Sequence, residues 1–246
     1  MNTNKFAISS AGLHILAMAL MLCDHLWATI VPGNNWLTCI GRLSFPIFAF
    51  LLVEGYFHTR SIKNYALRLL LFALLSEIPF NLMYISGPFY PFHQNVIWTL
   101  LIGLGMIHLN EMARRKEKVI LSLLTAVGTI LLGTGLGLLS FADYGSAGVL
   151  TILLFYFFRG RKWWCYAGQL AGMYWLNFEI MQGLSYELLL FGRKVFFPQQ
   201  GFALLALIPL WLYQGRKGFS ARWFQYLCYG FYPVHMLLLW LIRYLA

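Results

Sequence analysis

The chain has 246 residues, of which 60% are hydrophobic and only 11% charged, with a mean hydropathy of +0.68. An ordinary soluble domain carries roughly 25% charged residues, so much of this chain faces lipid rather than water. The net charge of +10 is held in short basic clusters between apolar runs. That distribution argues against a nucleic-acid partner and for the loops of a polytopic membrane protein.

A spanning helix needs roughly 20 mostly apolar residues, and nine stretches are candidates. In chain order they are 12–31, 36–57, 65–85, 95–111, 119–139, 145–158, 163–181, 200–214 and 225–244. The sixth and eighth are short enough to be tilted or partly re-entrant. The stretch 183–198, with Arg193, Lys194 and Pro198, is too polar for a span and reads as a loop or half-helix. The first apolar run has no small-residue cleavage site, so no cleavable signal peptide is expected. The expected fold is an all-α bundle of about nine transmembrane helices, one domain over 1–246. Cys23, Cys39, Cys165 and Cys228 are scattered through apolar runs with no CxxC or Cys–His spacing, and they read as small buried residues.

Loop charge sets the expected orientation. Lys5, Arg60, Lys63, Arg68, Arg114, Arg115, Lys116, Lys118, Arg159, Arg161, Lys162, Arg216, Lys217 and Arg222 all fall on one side of the nine-span path. Arg193, Lys194 and Arg243 fall on the other, and Arg42 within a span. Positive residues mark the cytoplasmic side. The N-terminus is therefore expected inside and the C-terminus outside.

This path sorts the intramembrane polar residues into two layers. The outer one holds Asp24, His25, Arg42, Glu77, His93, Gln94 and Asn95, with Asp143 and Tyr144 in the next outer loop. An ionisable group in hydrocarbon is costly and is functional by default. His25 is the first candidate for acid–base catalysis, since an imidazole can both take and return a proton near neutral pH. Neighbours on a helix point about 100° apart, so Asp24 can pair with Arg42 instead of His25. Glu77, just before Pro79, is open to three roles: general base, partner of Arg42, or buried hydrogen-bonded acid. His93 is a second catalytic candidate or an interfacial ring. Asn95 suits a helix N-cap. Gln94, Asn95, Asp143 and Tyr144 are candidate acceptor-binding residues. His235, after Pro233, is either aimed inward by a kink or structural.

The inner layer is Glu54 and His58, which share a helix face, with Arg60, Lys63 and Arg68 beyond them. Arg and Lys here suit phosphate oxygens, or they merely set topology. Pro46 can weaken the backbone ladder early in this span, and Gly55 can admit a close neighbour. No residues show the spacing of a metal motif, and none is expected to bind metal.

Several segments in order resemble the TraX family of membrane proteins named for F-type pilin acetylation. They are MLCDHLWA, IGRLSFPIFAFLLVEGYFHTRSIKNYALRLLLFALLSEIPFNL, FHQNVIWTLLIG, FADYGSAGVLTILLFY, ALLALIPLWLYQGRKG and FQYLCYGFYPVHMLLLWLI. The likeness is weakest over 112–140 and 160–198. The resemblance implies an integral acetyltransferase of the bacterial inner membrane. Its donor would be cytoplasmic acetyl-CoA and its acceptor a peptide, pilin or other extracytoplasmic group, first choice an N-terminal amine. It carries over Asp24, His25, Arg42, Glu77 and His93 as catalytic positions, Gln94 and Asn95 on the acceptor side, and Glu54, His58 and Arg60 at the donor end, where Arg68 joins them. Membrane lipids are the other expected partner. Two rival readings are a proton- or solute-coupled transporter and a non-catalytic pilus or secretion assembly factor. A transporter is expected to show an internal repeat or broken helices, and the sequence displays neither.

Overall fold

The computed structural model describes residues 7–190, 192–219 and 221–245. Lys5, counted above with the basic side, lies outside them. Among the described residues, ten α-helices run in chain order: α1 Ser10–Thr29, α2 Asn35–Gly41, α3 Ser44–His58, α4 Ile62–Ile85 and α5 Val96–Arg114. After these come α6 Val119–Leu139, α7 Gly145–Phe157, α8 Trp163–Tyr174, α9 Leu207–Leu212 and α10 Arg222–Leu245.

Among the described residues, five helical stretches are long and apolar enough to cross a membrane: Ser10–Thr29, Asn35–His58, Ile62–Ile85, Val96–Arg114 and Val119–Leu139. The chain is a helical membrane protein. The other four expected spans meet shorter or less apolar elements. The α7 helix has 13 residues. The α8 helix continues through a π-helical turn, Trp175–Met181, and α9 is preceded by a 3₁₀ segment, Gln199–Ala206. The 24-residue α10 is long enough, but Gln225, Tyr226, Tyr229 and His235 dilute its apolar character.

Several helix starts follow from side-chain caps. Ser9 Oγ accepts from Gly12 N–H at 3.1 Å, Ser61 Oγ from Asn64 N–H at 3.2 Å, and Asn95 Oδ1 from Ile97 N–H at 3.1 Å. Each satisfies a donor that the first turn leaves orphaned. The start of α1 is also stitched to the segment after α9, where Ser10 and Ala11 N–H donate to Arg216 and Lys217 carbonyls.

Two expectations need correction. The stretch 183–198 is neither loop nor half-helix but an antiparallel hairpin, β1 Ser185–Leu190 and β2 Arg193–Pro198, set within an otherwise helical bundle. Val195, Phe196 and Phe197 favour strands, and Gly192, at φ +75°, supplies the left-handed turn residue. Broken helices are also present. The second expected span is interrupted at Arg42–Leu43, between α2 and α3. Pro46 accounts for the place: it has no N–H for the Arg42 carbonyl, and its ring crowds that same carbonyl four residues back.

The helices α1, α3, α4, α5, α7 and α10 carry most of the buried apolar side chains. The α6 helix sits outside them. Val119, Ile120, Leu131 and Leu138 are exposed, and its buried residues are the small Thr129, Gly133 and Gly137. That spacing of four lets two backbones approach closely. A Cβ at Gly133 would lie 2.8 Å from Val149 Cγ1, and one at Gly137 2.7 Å from the Ser146 amide nitrogen. Across the seam to α5, Asn110 Nδ2 donates to Thr129 Oγ1 at 2.7 Å.

Candidate active site

The α1 helix and the short α2 meet at Gly41, where a Cβ would fall 2.5 Å from Asp24 Cβ. That closeness lets Arg42, one residue on, form an ion pair with Asp24. Thr38 completes the knot. Its hydroxyl donates to Asp24 Oδ1 at 2.6 Å and accepts from an Arg42 terminal nitrogen at 3.0 Å. It also accepts from Gln199 Nε2 at 3.0 Å, so its hydrogen-bonding capacity is filled. Arg42 Nε reaches back to the Thr38 carbonyl at 3.3 Å. Thr38 and Gln199 are missed by sequence reasoning. An ordinary threonine and an ordinary glutamine, 161 positions apart, give no local signal.

His25 faces elsewhere. Its Nδ1 lies 2.6 Å from His235 Nε2 on α10, and both rings are buried. Asp24 and Arg42 therefore do not orient His25 by contact; His235 does. Tyr84 and Tyr232 flank the ring, with centroids 6.1 and 6.3 Å away.

Glu77 takes the third of its open roles in geometry. One carboxylate oxygen accepts from Asn95 N–H at 3.1 Å, Asn95 Nδ2 at 2.5 Å and Trp98 Nε1 at 2.7 Å. It clamps α4 to the start of α5 and has no pair with Arg42. Asn95 is a buried cap, and Gln94 Nε2 donates to the Pro91 carbonyl at 3.0 Å. His93 sits edge-on to Phe80 and Tyr84 at centroid distances of 4.9 and 5.8 Å. The loop beyond is laced to this corner: Gln94 N–H donates to Phe141 O, Asp143 N–H to Gln94 O, and Thr99 Oγ1 to Asp143 O. Burial pushes the Asp143 carboxyl above its ordinary value, against the opposing pull of His93 and Arg42.

A cavity of about 580 Å³ joins these residues to the basic end. Its wall includes Asp24, His25, Asp143 and Tyr144, the apolar Leu52, Leu69 and Phe72, and Glu54, His58, Arg68 and Lys217; α3, which lines it from Ser44 to His58, leads from the first group to the last. Arg42, Arg60, Glu77, His93, Gln94 and Asn95 are not in its wall. At the basic end, Glu54 is held by Arg159 at 2.7 Å, not by Arg60, and His58 Nδ1 donates to the Glu54 carbonyl at 2.7 Å. Arg68 Nε donates to the Tyr229 hydroxyl at 3.4 Å, and its guanidinium lies 5.7 Å from the Tyr65 ring centroid. Arg159 also lies 4.2 Å above the Phe57 ring.

Comparison with known proteins agrees with the order of motifs. A family model described as TraX protein matches residues 9–243. The chain is 30% identical over 254 aligned positions to "Probable fimbrial assembly protein FimC, serogroup H1" of Dichelobacter nodosus, covering 94% of each. No solved structure gives a significant match. With nearly its whole length inside the family match, this chain belongs to the TraX family.

Proposed function

We propose that the chain is an inner-membrane acetyltransferase that modifies a pilus-related acceptor, first choice the N-terminal amine of a pilin. The observation that carries the reading is the cavity running from His58, Arg68 and Lys217 to the buried His25. Its volume lies in the range of small-molecule sites, roughly 300–1,000 Å³. Its chemistry suits an acyl-CoA: cations at one end for phosphate oxygens, apolar walls for the pantetheine arm, and an imidazole where the thioester would arrive. The basic end would face the cytoplasm, where the donor is made.

In this reading His25 Nε2 takes a proton from the acceptor nitrogen as that nitrogen attacks the thioester carbonyl. The tetrahedral adduct then breaks its carbon–sulfur bond, and His25 returns the proton to the departing thiolate. The acceptor gains one acetyl group and free CoA leaves. Asp24, Arg42 and Thr38 keep the adjoining turn of α1 and α2 in place and neutral overall.

Labelled acetyl-CoA and a peptide with a free N-terminus, incubated with purified protein in nanodiscs, test this directly. Transfer of label to the peptide is expected. Removing a positioned acid–base group should slow turnover by about 10²–10⁴-fold, so His25→Ala should lose nearly all transfer. Transfer that survives this change intact would remove His25 from the mechanism.

A second reading is a transporter, favoured by the helix break at Arg42–Leu43 and the irregular helical segments Trp175–Met181 and Gln199–Ala206. A third, non-catalytic assembly, follows the name of the D. nodosus relative. A host strain carrying His25→Ala separates them. Pili that assemble normally on unacetylated pilin favour the enzyme, and pili that fail with pilin still acetylated favour assembly.

A further inference from the structure

His25 and His235 come from opposite ends of the chain, 210 positions apart, and their rings meet with planes only 7° apart and centroids at 4.8 Å. One ring radius at each end plus the 2.6 Å between nitrogens accounts for that whole centroid distance. The rings therefore lie end to end in nearly one plane, not face to face. Imidazole N–H bonds and lone pairs also lie in the ring plane, so this is the geometry of an N–H···N hydrogen bond.

A third group decides which ring donates. His235 Nδ1 is 2.6 Å from the carbonyl oxygen of Phe231, and a carbonyl only accepts. His235 Nδ1 thus carries the proton. In the neutral ring the lone pair is then on Nε2, and His25 must donate to it from Nδ1. The remaining lone pair of His25 is left on Nε2. No protein group among the described residues hydrogen-bonds that nitrogen, and His25 is in the cavity wall. The Phe231 ring lies against His235 at 4.6 Å and 15°, holding it in this orientation.

We infer that His235 is a positioning residue: the chain Phe231 carbonyl, His235, His25 fixes the His25 tautomer with an unprotonated Nε2 turned to the cavity. The inference rests on reading His25 as the general base, but the tautomer can be measured without any turnover. Without this chain, part of the His25 population would carry its proton on Nε2, where it could not accept one from substrate.

Long-range proton–nitrogen correlation spectra of histidine-labelled protein in nanodiscs test the tautomer. His25→Ala and His235→Ala spectra provide the assignment. The expected wild-type result is a protonated Nδ1 and an unprotonated Nε2 on His25. His235→Phe should shift the proton toward Nε2, and His235→Gln, whose side-chain oxygen can stand where Nε2 stood, should restore it. In the transfer assay His235→Phe should lower kcat by about 10²-fold with KM for acetyl-CoA unchanged, and His235→Gln should recover most of the loss. A wild-type His25 protonated on Nε2 overturns the inference, as does a kcat deficit that Gln fails to rescue. The expected tautomer in a protein that transfers no acetyl group supports the dyad and refutes only the acetyltransferase reading.

Discussion

Asp24 and Arg42 place a carboxylate and a guanidinium within the helical bundle, with side chains 15% and 16% exposed. Breaking a buried pair from one side strands the other charge and costs about 3–5 kcal/mol. Arg42→Ala should therefore lower the unfolding temperature in detergent sharply, whereas Asp24→Asn with Arg42→Ala, which strands no charge, should regain part of it. Equal loss in both would show that the shape of Arg42 matters rather than its charge. Asp143 gives a pH signature instead. Burial raises its folded pKa above the unfolded value, so the folded state binds the proton more tightly. That contribution is full at pH below the unfolded value and fades as pH rises through the folded one. Asp143→Asn keeps the Oδ1 acceptor for Tyr144 N–H and stays neutral throughout. Its thermal advantage over wild type should be absent in acid and appear as pH rises through that window; an advantage independent of pH would refute the shift. Some of this was legible in the sequence. Two lone opposite charges at similar depth invite pairing, and Asp24 could be matched to Arg42. The His25–His235 pair was not, because no local pattern reports a contact 210 positions apart.

Long helices and irregular segments differ in how openly the sequence displays them. Val119–Leu139 is an uncharged apolar run and Ile62–Ile85 is apolar on average despite Arg68 and Glu77, so hydropathy alone locates both. The hairpin is hidden because six-residue strands fall far below the length of a spanning run, while Arg193 and Lys194 make the stretch look like loop. It nonetheless reaches the site, since Gln199 directly after β2 donates to Thr38 and Tyr186 on β1 accepts from Cys39 Sγ at 3.3 Å. The seam of α6 can be tested as an element. Gly137→Leu would drive a side chain into the Ser146 backbone, whereas a Cβ at Gly135 would have nothing within 4 Å and would point outward. Overpacking typically costs about 1–3 kcal/mol, so Gly137→Leu should destabilise the fold while Gly135→Leu leaves the unfolding temperature unchanged. Equal effects at both positions would mean that α6 packs by another face.

At the scale of the whole molecule, the polarity of the cavity and the polarity of the loops agree. His58, Arg68 and Lys217 gather at one end of the cavity, and Arg114, Arg115, Arg159 and Arg161 belong to the turns that charge asymmetry assigns to the same side. The hairpin, with its Lys194–Glu187 pair at 2.5 Å, lies in the connection assigned to the opposite side. An acyl donor entering at the basic end and an acceptor arriving from the far side would meet near His25 only if those two sides face different compartments. The positive-inside bias predicts that they do, with the basic end cytoplasmic. In a background with Cys23, Cys39, Cys165 and Cys228 replaced by serine or alanine, single cysteines at Lys116 and Lys194 give the two readouts. A membrane-impermeant maleimide added to cells with a permeabilised outer envelope should label position 194, and should label 116 only after the inner membrane is opened. The same experiment at Leu245 should behave like 194. Labelling of 116 and 194 from one side would break the route between compartments and leave a cavity with no vectorial role. Labelling of 116 alone would invert the protein, placing His58, Arg68 and Lys217 where no cytoplasmic acyl-CoA could reach them.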